Sequence, residues 1–499
     1  PQYARGRLLQ CRLSFGPGAP GVLFNSALFF YVFLPVVVLG YYAGRARGGY
    51  AVAEAWLFAA SLLFYASWDV RYLPLLLGSI AVNYRLGQTL RRQPRRRWLA
   101  VGVALNLGLL GFYKYADFFL GEVNALAGTA YPLIGVILPL GLSFITFQQI
   151  AYLVDSYHGQ SHGDEGWLRY ALFVTFFPQL VAGPIVQHRE IIPQFGALAR
   201  PTPGLPWGFA TGLFIFSVGL FKKVVIADSL APWADRAFAD ATALGFFDAW
   251  TAALAYTLQI YFDFSAYSDM AVGLGLLFGL RLPLNFLSPY QAVTISDFWR
   301  RWHITLGRFL RDYLYIPLGG NRQRLARTLM ALAVTMLLGG LWHGAAWTFV
   351  AWGGLHGAYL AVYHLWRRGR WRLPRPVAWA LTFTAVVFAW VLFRADSFAA
   401  AWHLWGAMLG LHGVDLPNTL RPMLGFLGEA VVWSMPRQAN GLEMLILLPL
   451  LVFVVTQPNV HDLAARFQPT RRWGVTTFGA AAAAVVLLGQ PTTFIYWAF

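Results

Sequence analysis

Apolar stretches of bilayer-spanning length recur along this chain, and no other property of the sequence restricts its fold as severely. They run near 24–43, 52–68, 72–88, 98–115, 132–152, 208–227, 248–279, 327–365, 376–393, 441–457 and 474–489. A helix needs roughly 17–25 residues to cross about 30 Å of hydrocarbon. The stretch 327–365 is long enough for two passes, so about eleven or twelve membrane segments are expected. Backbone polar groups inside a bilayer must be satisfied within the protein, which segments of this length achieve as α-helices. The expected class is an all-α polytopic membrane protein. Composition agrees: 58% of residues are hydrophobic and only 12% charged, where soluble domains average about 25% charged.

The net charge of +17 is carried largely by arginines in the short loops. Clusters at Arg45/Arg47, 85–97, 300–327, 367–375 and 466–472 read as cytoplasmic loops under the positive-inside rule, and no nucleic-acid partner is expected. These clusters share one side only if full crossings are even in number. Segment 169–185, interrupted by Pro178, Gly183 and Pro184, is therefore expected to be re-entrant, since broken helices at membrane depth occur where they are buried or line a cavity. Both termini and the loop 396–440 then face the outer side. Residues 1–21 place Arg5, Arg7 and Arg12 there, so they are expected to be a non-native or poorly ordered extension, with the native chain starting at Val22 and 22–499 forming one domain. The single cysteine, Cys11, permits neither an internal disulfide nor a thiolate metal cluster. Lysine occurs only at Lys114, Lys222 and Lys223, which reads as coding bias.

Polar side chains inside apolar stretches are costly and therefore informative. His343 stands in the otherwise apolar run 328–365, where an imidazole must be paired or line a wet cavity. It is the first functional candidate. Asp263 and Asp269 lie in 259–270; such carboxylates mark a cavity, a partner cation or a proton path, or bond helix to helix. If 294–311 is helical, Trp299, Trp302 and His303 share one face, with Arg300, Arg301, Arg308 and Arg311 around the other flank. Such a helix is expected to lie on the cytoplasmic leaflet, which accounts for the arginines but not for His303. His158 and His162 are four apart, but Gly159 lies between them and no third ligand is near, so no metal site is expected. His356, beside Gly353, Gly354 and Gly357, reads as a packed, hydrogen-bonded residue at a close helix contact. No nucleophile elbow, Walker loop or HExxH is present. The chemistry rests on imidazole.

Six ordered motifs carry a resemblance: LFNS at 23–26, LPLGLSFITFQ at 138–148, FPQLVAGPI at 177–185, YFDFSAYSDM at 261–270, the block 297–322 beginning DFWRRWH, and LGGLWHGAAW at 338–347. Together they resemble the bacterial membrane-bound O-acyltransferase (MBOAT) family, within it the branch of the alginate O-acetyltransferase membrane subunit and its relatives in cellulose and peptidoglycan acetylation. The likeness runs from about Val22 to the terminal FIYWAF at 494–499, where Trp497 departs from a tail that often carries glutamine. The branch that transfers D-alanine fits less well, because FWRRWH at 298–303 is uninterrupted. The resemblance implies a helical ring around a central, water-accessible tunnel in the bacterial inner membrane, with periplasmic termini. It matches His343 to the family's essential histidine and His303 to a second signature position. It further implies an acetyl group taken from a cytoplasmic thioester, acetyl-coenzyme A, with no tightly bound cofactor. A periplasmic SGNH-type acetyltransferase, the polysaccharide secretion machinery and membrane lipid are the implied partners.

An activated thioester needs mainly an aligned acceptor and a base for its hydroxyl proton, and burial favours the neutral imidazole that can be that base. His343 is expected to activate the acceptor while His303 positions the donor or assists proton transfer. Arg300, Arg301, Arg308 and Arg311 are expected to attract coenzyme A phosphates, and Trp299, Trp302, Trp342 and Trp347 to form tunnel walls. Hairpin counting puts His343 near the outer turn of 327–365. The rival class is a transporter or flippase with Asp263, Asp269 and the histidines as a proton relay, although no inverted repeat is visible.

Overall fold

The computed structural model describes residues 23–161, 166–198, 205–369, 372–426, 432–434 and 441–488. The extension expected over 1–21, His162 and the terminal motif with Trp497 lie outside them. Helix follows helix along the chain: α1 Leu34–Asp69, α2 Leu73–Arg92, α3 Arg96–Leu110, α4 Ala116–Ala127, α5 Leu142–Tyr157, α6 Trp167–Thr175, α7 His188–Ala197, α8 Leu205–Phe221, α9 Asp228–Ala239 and α10 Phe246–Leu277. There follow α11 Ile295–Arg301, α12 Ile304–Leu310, α13 Leu325–His343, α14 Trp347–Trp366, α15 Arg375–Arg394, α16 Phe398–Met408, α17 Met444–Thr456, α18 Val460–Ala465 and α19 Arg471–Val486. The strands β1 Asp415–Pro417 and β2 Val432–Ser434 pair in parallel in the loop before α17. By length and composition, Phe29–Arg92, Arg96–Ala127, Gly208–Ala239, Leu325–His343 and Arg375–Arg394 can cross a membrane. The chain is an all-α, multi-pass membrane protein.

Glycine decides where the long helices turn back. Gly49 adopts φ 74° and ψ −172° inside α1, so this element is two antiparallel legs. Trp56 Nε1 accordingly donates to the Val37 carbonyl at 3.0 Å, and the two legs account for the spans expected at 24–43 and 52–68. Helices α13 and α14 form a second hairpin. A Cβ on Gly353 would run into the Met336 carbonyl oxygen and lie 3.1 Å from Gly340 Cα, which is the close helix contact expected around His356. Through the middle runs α10, 32 residues and about 48 Å long, buried along almost its whole length.

Two expected helices take another form. The span expected at 132–152 has no helix or strand up to residue 139, a turn follows at 140–141, and α5 starts only at Leu142. Pro132 and Pro139 cannot continue a helix, and Gly135 and Gly141 adopt φ of 70° and 67°. The freed backbone is met by Asp117, whose carboxylate accepts from Ile134 N at 2.8 Å and Gly135 N at 3.0 Å. The single amphipathic helix expected at 294–311 is broken into α11 and α12, with Trp302 extended and His303 at φ 44°, ψ 53°. It does not lie on a leaflet: Trp302 is 2% and His303 0% exposed. Segment 169–185 is interrupted as expected. Helix α6 ends at Thr175, the chain kinks at Phe176 (φ −51°, ψ 106°), one helical turn follows, and residues 170–188 are buried throughout.

The α13–α14 crossing yields a stability test. Gly353→Val should lower thermal stability in detergent by at least about 1–3 kcal/mol, because its branches meet backbone that cannot yield. Gly108→Ala in α3, where an added Cβ meets nothing within 4 Å, should be at least as stable as the parent, since alanine favours helix by up to about 1 kcal/mol over glycine.

Candidate active site

His343 ends α13 and His303 occupies the break between α11 and α12, forty residues earlier in sequence, yet their rings are 6.3 Å apart. Aromatic rings close around them. Trp342, Trp352 and Phe393 stand 5.0, 5.1 and 5.2 Å from the His343 ring. Phe264 of α10 meets the His303 ring edge-on at 4.7 Å. Both histidines are buried, at 5% and 0% exposure.

Their depth follows from two long rods. Phe264 stands near the middle of the 32-residue α10. Lys114, near the middle of the 32-residue stretch Arg96–Ala127, donates to the His343 carbonyl at 3.1 Å. The pair therefore lies at mid-length of both. His343 does sit at the turn of the α13–α14 hairpin, as counted from sequence, but the turn itself is sunk into the protein.

The end of α13 is capped by a neighbouring helix rather than by water. Lys114 also donates to the Trp342 carbonyl, and the hydroxyl of Tyr115 donates to that of Leu341 at 2.8 Å. These belong to the last four carbonyls of α13, which have no partner within a helix, and an ammonium is favoured at that negative end. Lys114 and Tyr115 belong to a π-helical turn, Gly111–Tyr115. The coding-bias reading of the lysines is thus corrected. Lys222 and Lys223 lie in another π turn, Lys222–Ala227, and bond buried carboxylates.

His303 is one of two non-glycine residues with positive φ among those described; the other is Ser288. Such a conformation costs about 1–3 kcal/mol and persists only where the surroundings enforce it. Here the segment 285–287 grips 301–304: Leu287 N donates to the Arg301 carbonyl and Ile304 N to that of Asn285, each at 3.0 Å. The Asn285 side-chain oxygen meets His303 Nδ1 at 3.0 Å.

The remaining expected site residues divide. Trp302 and Trp342 are buried in the cluster, and Trp299 is half-buried with its Nε1 donating to His356 Nδ1 at 3.3 Å. Trp347 is 50% exposed and packs on Phe118. It is not a wall of this site, because it opens α14 on the outside of the hairpin. Of the arginines, Arg308 pairs bidentately with Glu190, Arg301 with Asp297 at 3.0 Å and Arg311 with Asp312 at 2.7 Å. Arg300 is exposed and pairs with no carboxylate among the described residues.

Asp263 and Asp269 do not reach the histidines. On α10 they project from different faces than Phe264 and Ser268, which serve His303. Asp263 contacts Lys223 at 2.6 Å, and Lys223 contacts Asp228 at 2.7 Å. Asp269 contacts Lys222 at 2.6 Å and His461 of α18 at 3.0 Å. They are ion-pair joints between helices. Trp352, Phe393 and Asn285 were not singled out from sequence, and Lys114 was read as coding bias. Two carried a signal: Lys114 stands inside the apolar stretch 98–115, and Trp352 stands four residues before His356 on one helix face. No group of three potential metal ligands occurs among the described residues.

Comparison with known proteins accords with this geometry. The sequence profile of the membrane-bound O-acyltransferase family matches residues 163–399, which include both histidines. A peptidoglycan O-acetyltransferase of Helicobacter pylori is 46% identical over 445 residues, 82% of this chain and 84% of that protein. A probable alginate O-acetylase of Azotobacter vinelandii is 42% identical over 399 residues, 78% of each chain. A teichoic acid D-alanyltransferase of Bacillus subtilis is 24% identical over 276 residues, 52% of this chain and 69% of its own.

If Asp269 is a joint, Asp269→Asn leaves the half-buried Lys222 against a weaker partner. Thermal stability should fall by about 3 kcal/mol, within the range for breaking a buried ion pair. Turnover per folded molecule should stay within about threefold of the parent, whereas a relay or substrate role would abolish it.

Proposed function

Because this chain belongs to the membrane-bound O-acyltransferase family, we propose that it moves an acetyl group from cytoplasmic acetyl-coenzyme A across the bacterial inner membrane for O-acetylation of an extracellular polysaccharide. The onward acceptor in this reading is a periplasmic SGNH-type acetyltransferase working beside the polysaccharide secretion machinery, with both chain termini periplasmic. One observation carries it above the rest: two imidazoles 6.3 Å apart, held in an aromatic cage at mid-length of the central helices. Relatives whose names specify peptidoglycan and alginate acetylation support a polysaccharide, alginate being one example.

The reaction asks little of the protein beyond alignment and proton handling. His343 takes the proton from the acceptor hydroxyl as its oxygen attacks the thioester carbonyl. The carbon–sulfur bond then breaks, and the departing thiolate collects the proton. His303 positions the donor or assists that transfer. Trp299 Nε1 donates to His356 Nδ1, so the hydrogen of the neutral His356 ring is on Nε2. Among the described residues that Nε2 and Trp352 Nε1 are buried without a hydrogen-bond partner, and such donors suit the oxygen on which negative charge develops. Arg300, exposed at the end of α11, suits the phosphates of the donor. The transport alternative needed Asp263 and Asp269 in a relay with the histidines. Their pairing with Lys223 and Lys222 counts against it.

Purified protein in lipid nanodiscs, supplied with labelled acetyl-coenzyme A and its periplasmic acceptor protein, should release free thiol as the acetyl group passes to the acceptor, and His343→Ala should slow release by about 100- to 10,000-fold, the usual worth of a general base. Unaltered polymer acetylation by cells carrying that variant would sink the catalytic role. Arg300→Ala should raise the donor KM several-fold with kcat unchanged, the difference shrinking as salt screens the exposed charge.

A further inference from the structure

Every polar atom of the Asn285 side chain is engaged, and the donors around it leave one possible arrangement. Backbone Thr305 N–H points at Asn285 Oδ1 from 3.3 Å, which identifies that atom as the acceptor oxygen. Thr305 Oγ1 accepts from Ile185 N at 2.9 Å, so its own hydrogen is available for Asn285 Oδ1, 3.0 Å away. On the other side, Asn285 Nδ2 donates to Ser268 Oγ of α10 at 3.1 Å. Ser268, Asn285, His303 and Thr305 are all at most 2% exposed, so bulk solvent does not reach these groups. Since Oδ1 is an acceptor, His303 Nδ1 at 3.0 Å must be the donor.

From this geometry we infer that Asn285 is a positioning residue that sets the tautomer of His303, holding hydrogen on Nδ1 and the lone pair on Nε2. The inference rests on the catalytic reading of the histidine pair and sharpens it. A neutral imidazole accepts a proton only at its unprotonated nitrogen, and the bond made by the other nitrogen decides which that is. The same residue also holds the left-handed turn, its carbonyl accepting from Ile304 N, so backbone and ring are fixed by one side chain and its own peptide. His343 faces the His303 ring from α13, while its neighbours Phe264, Phe286 and Trp342 are uncharged.

Two variants of the full chain in nanodiscs test this. In Asn285→Asp the carboxylate can accept from His303 Nδ1, Thr305 N and Thr305 Oγ1, and the Ser268 hydroxyl can turn to donate to its second oxygen. Asn285→Leu can accept from none of them. Acetyl-coenzyme A turnover across pH should show Asn285→Leu reducing kcat by about 10- to 100-fold with donor KM within about threefold. Asn285→Asp should recover to within about tenfold of the parent, with the acid limb of its profile moved up, because a carboxylate behind an imidazole favours the protonated ring. Parental kcat in Asn285→Leu, or Asn285→Asp as impaired as Asn285→Leu, overturns the assignment. If Asn285→Leu does not fold, the Asn285→Asp profile decides alone: a displaced acid limb supports the assignment and one superposing on the parent overturns it. Should the parent itself not turn over the thioester, the function proposed above fails, and the nitrogen-15 shifts of His303, assigned by difference against His303→Gln, still decide this point. A protonated Nδ1 upholds the assignment and an unprotonated one overturns it.

Discussion

A polar group in a water-excluding interior must find its partner within the protein, and the arrangement around His303 and His343 follows from that requirement. Asn285 answers four groups at once: the ring of His303, the backbone and hydroxyl of Thr305, and the hydroxyl of Ser268. Lys114 and Tyr115 answer the carbonyls that α13 leaves open at His343. Each histidine is thereby tied to elements distant in sequence. The strain of a left-handed histidine is tolerated because so many bonds would have to break together to relieve it.

The three lysines show the same economy of charge. All three sit in π-helical turns, where the widened backbone redirects side chains that a regular α-helix would place elsewhere. One caps the helix that ends in His343; the other two neutralise the carboxylates of the central helix. A compact ammonium with three donors suits these enclosed positions better than the broad guanidinium used in the loops. The buried charges therefore secure helix α10 against α8, α9 and α18, and α10 in turn presents Phe264 and Ser268 to His303.

Much of this architecture was legible in the sequence, because hydropathy and length are local properties that a bilayer reads directly. The all-helical class with several apolar helices, the break near Pro178, the close contact around Gly353 and the prominence of His343 and His303 all follow from residue types along the chain. The non-helical run before α5 was also written there, in Pro132, Gly135, Pro139 and Gly141, but its apolar composition outweighed those breakers in the hydropathy reading. The interfacial helix at 294–311 failed for a different reason. Its amphipathic pattern is real, yet the tryptophan face turns inward onto Tyr290 and Trp390, and only the partner surface decides whether such a face meets lipid or protein.

The sequence by itself determined the class of fold, the solvent in which it lives and the two imidazoles that merit attention, since the cost of burying a titratable ring is a property of that ring. Tertiary structure alone decided that these rings are neighbours, that Asn285 and Lys114 hold them, and that Asp263, Asp269 and Trp347 do not belong to the site. Those outcomes depend on which face of one helix meets which face of another, and no periodicity within a single segment encodes its partner's register.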